Sequence, residues 1–273
     1  HRYFSFCSGG HGVRGHRHQD RRVRKGTRMQ VRGIIKARNE AHIIGDTLDR
    51  WASMCADGVH VYDDHSQDET ADICRAHPGV VEVLSSDLFD PNRERAEWYN
   101  RQAVFSSAMR FLEPGDWLAY FDADEHLYNF DLGMLQRPEV NVIACRWYDV
   151  YITPEDEDLP YTERQWVGPE VRTIPFFYRV DEFLTGFSFP DQRIMHHRPA
   201  RHNHQSGAIK HFGKGFSRDL WERKVEYYGQ VFGPKYAAKW RSRKGKAVHR
   251  DYKSDEGRPL IPWDDIVSGR VAA

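Results

Sequence analysis

The stretch Trp117-Leu-Ala-Tyr-Phe-Asp122-Ala-Asp124-Glu125-His126 runs a short apolar segment straight into three carboxylates within four positions. The apolar part reads as a strand buried on both faces, and the acids as the turn that ends it. In open α/β sheets, strand ends are where ligands bind. Carboxylates crowded at such an end repel one another unless a cation or a proton lies between them. Oxygen ligands suit Mg²⁺ or Mn²⁺, ions usually shared with the phosphates of a substrate. Asp-x-Asp alone fits a solvated acidic turn equally well, so the surrounding pattern decides.

That pattern alternates strand and helix. Val31 to Ala37 reads as a strand, followed by a turn at Arg38-Asn39-Glu40 and a helix over Ala41 to Ala56 with Ile43, Ile44, Leu48, Trp51 and Met54 at helical spacing. A second strand, Gly58 to Tyr62, ends in Asp63-Asp64. Asp68 opens the next helix, where a short acceptor side chain can cap it. Val80 to Leu84 is a third strand. A long helix from Arg93 to Leu112, with Trp98, Phe105, Met109 and Leu112 as its apolar face, leads through Pro114-Gly115 to the acidic strand. Short turns between alternating elements predict a parallel, doubly wound α/β sheet. Right-handed crossovers then place the strand ends on one edge, which gathers Asn39, Asp63, Asp64, Asp122 and Asp124. Beyond residue 130 the reading is a strand over Val140 to Trp147, a loop from Tyr148 to Gly168, a strand over Thr173 to Val180, short strands or loops from Arg193 to His211, and a helix over Ser217 to Phe232.

A chain of 273 residues with 40% hydrophobic residues buries a full core. No apolar run approaches the roughly 18 residues of a membrane span, so a soluble protein is expected, with contact at a membrane surface left open. Cys7, Cys55, Cys74 and Cys145 lack Cys-x-x-Cys spacing, which favours a reduced, cytoplasmic setting. The zero net charge hides an asymmetry. Residues 1–28 hold eight Lys/Arg against Asp20, a net +7 that the rest of the chain balances. Rich in glycine and without apolar periodicity, they read as a disordered basic extension, with Met29 as the expected natural start.

Three blocks in this order resemble the pattern of glycosyltransferase family 2: Val31-Arg-Gly-Ile-Ile-Lys-Ala-Arg-Asn-Glu40, Val61-Tyr-Asp63-Asp64-His-Ser66-Gln-Asp68-Glu-Thr70 and Phe121-Asp-Ala-Asp-Glu125. They cover about residues 30–130. The chain is similar in particular to the branch in which a His, a Ser and a Lys follow later, here His211, Ser217 and Lys224. The resemblance implies a GT-A-like, Rossmann-type fold, a mostly parallel sheet flanked by helices in a single large domain. It divides the chain into a nucleotide-sugar-binding half (29–135), an acceptor-binding half (136–232) and a basic C-terminal tail (233–273). It implies a UDP-, GDP- or TDP-linked sugar as donor, a glycan or other hydroxyl compound as acceptor, Mn²⁺ or Mg²⁺ as cofactor, and an inverting transfer.

On that resemblance the nucleotide is expected at Ala37, Arg38, Asn39, Glu40, Asp63, Asp64, Arg101, Asp122 and Ala123. Asp63 or Asp64 lies at a strand end suited to accept from a uracil or guanine N–H. Asp124 is the expected metal ligand. Asp122 contacts the ribose or reaches the metal through water, and His211 completes the metal shell or binds a phosphate oxygen. The acceptor hydroxyl needs a general base. Asp191, in Phe189-Pro190-Asp191-Gln192-Arg193, is preferred over Asp181, Glu182 and Glu170.

Other readings are weaker. A nucleotidyltransferase also sets paired acids on a metal, but Lys36-Ala-Arg-Asn-Glu-Ala41 carries none of the glycines of a phosphate loop. A non-catalytic binder gripping nucleic acid with basic arms would bind with steep salt dependence; nucleic acid is not the expected partner. His196, His197, His202, His204 and His211 suggest zinc, but no Cys or Glu-x-x-His partner accompanies them. Trp147, Tyr148, Tyr151, Tyr161 and Trp166 serve sugar stacking or ordinary packing equally well.

Overall fold

A computed structural model describes residues 28–86, 88–188, 193–197, 203–231 and 233–270. The first half alternates as the pattern requires: β1 (Val31–Ala37), α1 (Ile44–Ala52), β2 (Val59–Asp63), α2 (Thr70–Ala76), β3 (Val80–Ser85), α3 (Arg93–Met109) and β4 (Trp117–Tyr120). β1 pairs in parallel with β2 and β4, and β2 with β3, so these four strands lie in the order 3-2-1-4. After β3 the chain crosses to the other side of β1. This reversal opens a crevice between the C-terminal ends of β1 and β4, where ligands settle in sheets of this class.

Apolar residues on both faces of β1 and β4 explain the two helical layers. Ile44, Leu48 and Trp51 of α1 join one buried cluster, while Val104 and Ala108 of α3 join the other with Ile34 and Tyr120. Trp51 stacks on Phe121 with ring centroids 4.2 Å apart. Gly33 lies beneath that contact, where a Cβ would come within 2.9 Å of the Phe121 ring and 3.0 Å of Cys55 Sγ.

The second half extends the same sheet with mixed direction. It comprises β5 (Glu125–Tyr128), β6 (Val142–Tyr151), β7 (Trp166–Val167), β8 (Arg172–Arg179), β9 (Leu184–Phe187), β10 (Met195–His197), β11 (Asn203–His211), α4 (Arg218–Val231), α5 (Pro234–Arg241), β12 (Ile261–Pro262) and α6 (Trp263–Val267). β8 runs antiparallel between β4 and β6, and β11 pairs in parallel with β6 and antiparallel with β5. The fold is therefore the expected α/β architecture, with ten strands in the main sheet among the described residues, flanked by helices, and β9–β10 as a separate two-stranded sheet.

Two boundaries differ from the sequence reading in ways that matter. β6 runs on to Tyr151, so Tyr148 to Tyr151 are strand, because β11 pairs with Tyr148 and Asp149 and β7 with Val150 and Tyr151, ladders that a single-sequence pattern does not reveal. The acidic turn is also shorter than expected. β4 ends at Tyr120 and Glu125 already begins β5, paired with His211. In the stretch read as a tail, α5, β12 and α6 form, and Trp263 and Ile266 are buried in a cluster with Tyr148 and Val150. Residues 1–27 lie outside the described residues, as does Asp191. Among the described residues no helix is long and apolar enough to cross a membrane, and Cys55, Cys74 and Cys145 are free and buried.

Candidate functional site

A cleft of about 920 Å³ opens at the C-terminal ends of β1 and β4, roofed by α4. Arg38, Asn39, Glu40, Arg101, Asp122, Ala123, Asp124 and His211, all singled out from the sequence, line it together. Ala37, Asp63 and Asp64 lie just beneath, buried at the ends of β1 and β2.

The turn after β1 is clasped to the loop after β2. Asn39 adopts φ 54°, a left-handed conformation that asparagine tolerates. Its N–H donates to Ser66 Oγ (3.0 Å), and its side-chain oxygen accepts from Gln67 N (2.7 Å). Glu40 N donates to Thr70 Oγ1 (2.8 Å) and Ala41 N to Asp68 Oδ2 (3.2 Å). Two of the sequence blocks are thus halves of one clasp, and Asn39 spends its side-chain oxygen holding the turn rather than facing a ligand.

Beneath the cleft a closed ion network joins β1, β2 and α3. Arg93 and Lys36 both bond Asp64 and Glu97, and Arg101 adds a contact to Glu97 at 3.0 Å. Arg38 donates to the Asp64 carbonyl at 3.0 Å. Asp64 is therefore committed internally. Asp63 is different: one oxygen accepts from Ser66 N at 3.4 Å, and the other, Oδ1, is buried without a hydrogen-bond partner. Burial opposes ionisation of Glu97, but Lys36, Arg101 and Arg93 outweigh it and hold the carboxyl down at about 2. Three cations face two carboxylates, which leaves this wall positive. The network reaches the acidic turn through Arg101 Nε, which donates to Tyr120 Oη (2.8 Å), and through Tyr120, whose hydroxyl donates to Asp122 Oδ1 (2.8 Å).

The opposite wall centres on Asp124. Lys224 Nζ of α4 lies 3.2 Å from Asp124 Oδ2, and His211 Nε2 lies 3.5 Å from the same oxygen. Burial penalises the Asp124 charge, yet His211 and Lys224 outweigh it and keep the carboxyl well below the usual range. Burial likewise disfavours the His211 cation, but Asp124 and Asp149 raise it to about 9. Gly213 follows His211 in the turn after β11. A Cβ there would lie 2.6 Å from His211 Nε2 and 3.0 Å from Asp124 Oδ2, so glycine keeps open the space these two atoms face. Glu40 stands nearby. Burial raises its pKa, a shift that Lys224 opposes and Asp124 and Asp122 reinforce.

Among the described residues, no group of three or more His, Cys, Asp or Glu side chains is arranged to hold a metal by itself. The residues nonetheless fit a divalent cation that takes its remaining ligands from phosphate and water. One carboxylate and one imidazole face a gap that a single methyl group would fill, and the mode is usual for Mg²⁺ and its relatives. Among the described residues the other histidines do not gather: His197 pairs with Asp181 at 2.9 Å, away from the cleft, and His202 lies outside the described residues.

Glu125, read as part of the acidic turn, is buried and structural. It takes both terminal nitrogens of Arg193 (2.7 and 2.8 Å), the Trp147 indole N–H (2.9 Å) and Asp122 N (2.8 Å). Arg193 thereby ties the chain just after Asp191 to the acidic turn. Asp181, Glu182 and Glu170 do not line the cleft. Three residues escaped the sequence reading altogether: Asp149, Gly213 and Glu97. Only the tertiary pairing of β6, β11 and α3 reveals them.

No family model and no curated protein matches the chain. Among solved structures it is similar to mannosyl-3-phosphoglycerate synthase from Rubrobacter xylanophilus, at 20% identity and a TM-score of 0.29, over 47% of this chain and 42% of that one. It is similar also to glucosyl-3-phosphoglycerate synthase from Mycobacterium tuberculosis in complex with Mn²⁺, uridine diphosphate and glucosyl-3-phosphoglycerate, at 20% identity and a TM-score of 0.30, over 44% of each chain. The chain thus spans less than half the length of either structure. A likeness of this size says nothing about function.

Proposed function

We propose that this protein is a metal-dependent glycosyltransferase of the GT-A type that moves a sugar from a nucleotide-diphosphate donor to an acceptor hydroxyl with inversion. The observation that carries this reading is the facing pair Asp124 and His211, held across a cleft whose other wall is cationic, with Gly213 leaving the intervening space free. A diphosphate needs such a combination: fixed positive charge, and one or two protein ligands that leave a cation free to bind phosphate oxygens. A divalent cation held by Asp124 and His211 would offset the negative charge that develops on the leaving diphosphate.

Within that reading Arg38 and Arg101 attract the anionic donor into the cleft. Asp63 is the better reader of the base, because its Oδ1 has an unused acceptor in a buried position, whereas Asp64 is consumed by Arg93 and Lys36. Asp191 remains the proposed base for the acceptor hydroxyl. Arg193, two residues further along the chain, is anchored on Glu125.

Thermal unfolding with UDP, GDP, TDP and CDP, each with and without Mn²⁺, tests the reading. A nucleotide at roughly 100 times its Kd raises stability by about 2.7 kcal/mol. One nucleotide is expected to do so only with Mn²⁺, and not in Asp124→Ala. If no nucleotide stabilises the protein under any condition, the donor site is absent and the non-catalytic reading replaces this one.

A further inference from the structure

We infer that Asp149 is a positioning residue for His211: it holds an imidazole proton on Nδ1 and so makes Nε2, turned toward Asp124, the nitrogen that a cation takes. The inference rests on the reading of Asp124 and His211 as the protein ligands of that cation.

Asp149 and His211 are 62 residues apart in sequence, and their side chains meet at 2.7 Å, Nδ1 to Oδ1. The cause is register. β11 pairs in parallel with β6, and His211 stands directly beside Asp149 in that ladder. Strand alternation places Trp147 on the same face of β6 as Asp149, and the His211 ring stacks on the Trp147 indole with centroids 4.1 Å apart. The ring is therefore held in plane by Trp147 and in azimuth by Asp149. Asp149 is itself fixed. Its second oxygen accepts from Lys214 Nζ at 2.7 Å and from Arg172 at 3.1 Å, and Lys214 is tied in turn to Asp255 at 2.9 Å.

The chemical consequence lies in the tautomer. A neutral imidazole has one N–H, and the stronger local acceptor keeps it. Without Asp149, the carboxylate of Asp124 beyond Nε2 would claim that proton. The imidazole would then present an N–H to an incoming cation, and ligation would first require that proton to be displaced. Between Asp124 and Asp149 the imidazole carries both protons at neutral pH; a cation arriving at Asp124 would release the Nε2 proton to solvent, while Asp149 keeps the other on Nδ1. A carboxylate on the far nitrogen is the usual support of a metal-binding histidine, and its loss typically weakens metal affinity about 10–100-fold.

The test uses the whole protein with Mn²⁺ and inorganic pyrophosphate, which supplies the diphosphate without presuming a base. Calorimetric affinity is compared for wild type, His211→Ala, Asp149→Ala and Asp149→Asn. The imidazole ¹⁵N shifts of His211 are recorded with Mg²⁺ and pyrophosphate. The expected result is loss of binding in His211→Ala and a roughly 10–100-fold weakening in Asp149→Ala. Asp149→Asn, which keeps a neutral acceptor oxygen, should lie between Asp149→Ala and wild type. The ¹⁵N shifts should show Nδ1 protonated in wild type and the proton moved toward Nε2 in Asp149→Ala, a change that loss of packing alone would not produce. Wild-type affinity in Asp149→Ala overturns the inference and leaves the reading of His211 intact. An unprotonated Nδ1 in loaded wild type does the same without any variant. Undiminished binding in His211→Ala, or none in wild type, overturns the reading and the inference together.

Discussion

The two walls of the cleft are both built from partly buried ion pairs, and they are built differently. On the α3 side, Lys36, Asp64, Arg93, Glu97 and Arg101 are tied to one another, each carboxylate shared by at least two cations, with the shortest contacts in the cluster at Lys36–Glu97 and Arg93–Asp64. On the β11 side, Asp149 is held as tightly, at 2.7 Å from both His211 and Lys214, but Asp124 is held loosely, at 3.2 and 3.5 Å. A closed network sets shape and a fixed charge. A network with one slack member can exchange a contact for a ligand. The contrast locates the exchangeable chemistry at Asp124 and assigns the α3 wall to electrostatic background.

The comparison can be broken in several places. The largest effect is expected at the closed wall. Glu97→Ala leaves three cations in a partly buried site without their shared partner, and removal of one member of a buried pair typically costs about 3–5 kcal/mol. Chemical denaturation would measure it, and a loss below about 1 kcal/mol, the range of exposed pairs, would mean that this wall is solvated rather than closed.

The same wall predicts acid sensitivity. The folded-state pKa of Glu97 lies near 2, below its ordinary value of 4.5. Its contribution is therefore fully present above about pH 4.5 and is lost as pH falls toward 2. The shift corresponds to something on the order of 3 kcal/mol. Stability of wild type should fall across that window, and Glu97→Gln should flatten the fall. Equal slopes would remove Glu97 from the account.

At the open wall, Asp124→Ala should abolish the Mn²⁺-dependent gain of about 2.7 kcal/mol from a saturating nucleotide while the protein stays folded. A variant that unfolds instead would show Asp124 to be as structural as Glu97. Gly213→Ala sharpens the same point. Gly213 is not one of the glycines with positive φ, so the added methyl strains no backbone and instead fills the gap between His211 Nε2 and Asp124 Oδ2. Overpacking of this kind costs about 1–3 kcal/mol, and we expect it to fall on nucleotide and metal affinity more than on melting temperature.

The smallest effect belongs to the clasp. Asn39→Gly keeps the left-handed turn and loses one side-chain hydrogen bond to Gln67, worth about 1 kcal/mol. Nucleotide binding should change little, because that oxygen holds the turn. A large loss of nucleotide affinity with unchanged stability would give Asn39 a direct role at the ligand.

Much of the parallel half was legible in sequence because each of its strands is an apolar run bounded by turn residues, and its pairing follows from strand-helix alternation. Asp122, Asp124 and the Arg38-Asn39-Glu40 turn came with it, since a strand end in a parallel sheet has a defined edge. The mixed half was read less well. The strand over Val140 to Trp147 seemed to stop where polar residues begin, yet β6 continues through Asp149 because β11 lies beside it. His211 was found from a resemblance, and its partner Asp149 carried no local signal. Glu125, read with Asp122 and Asp124 as part of one acidic turn, is the buried anchor of Arg193.

The sequence by itself determined where strands and helices alternate, which acids end a strand, and that glycine stands at position 213. Periodicity and turn chemistry act over a few residues, so they can be read in one dimension. Only the tertiary structure decided which carboxylates are spent and which are available. Asp63 and Asp64 are neighbours of one residue type, yet Arg93 reaches one of them and not the other. Availability depends on what the rest of the fold brings within about 3–4 Å, where charge-assisted hydrogen bonds and buried ion pairs form. The spacing of residues along the chain carries no record of that distance.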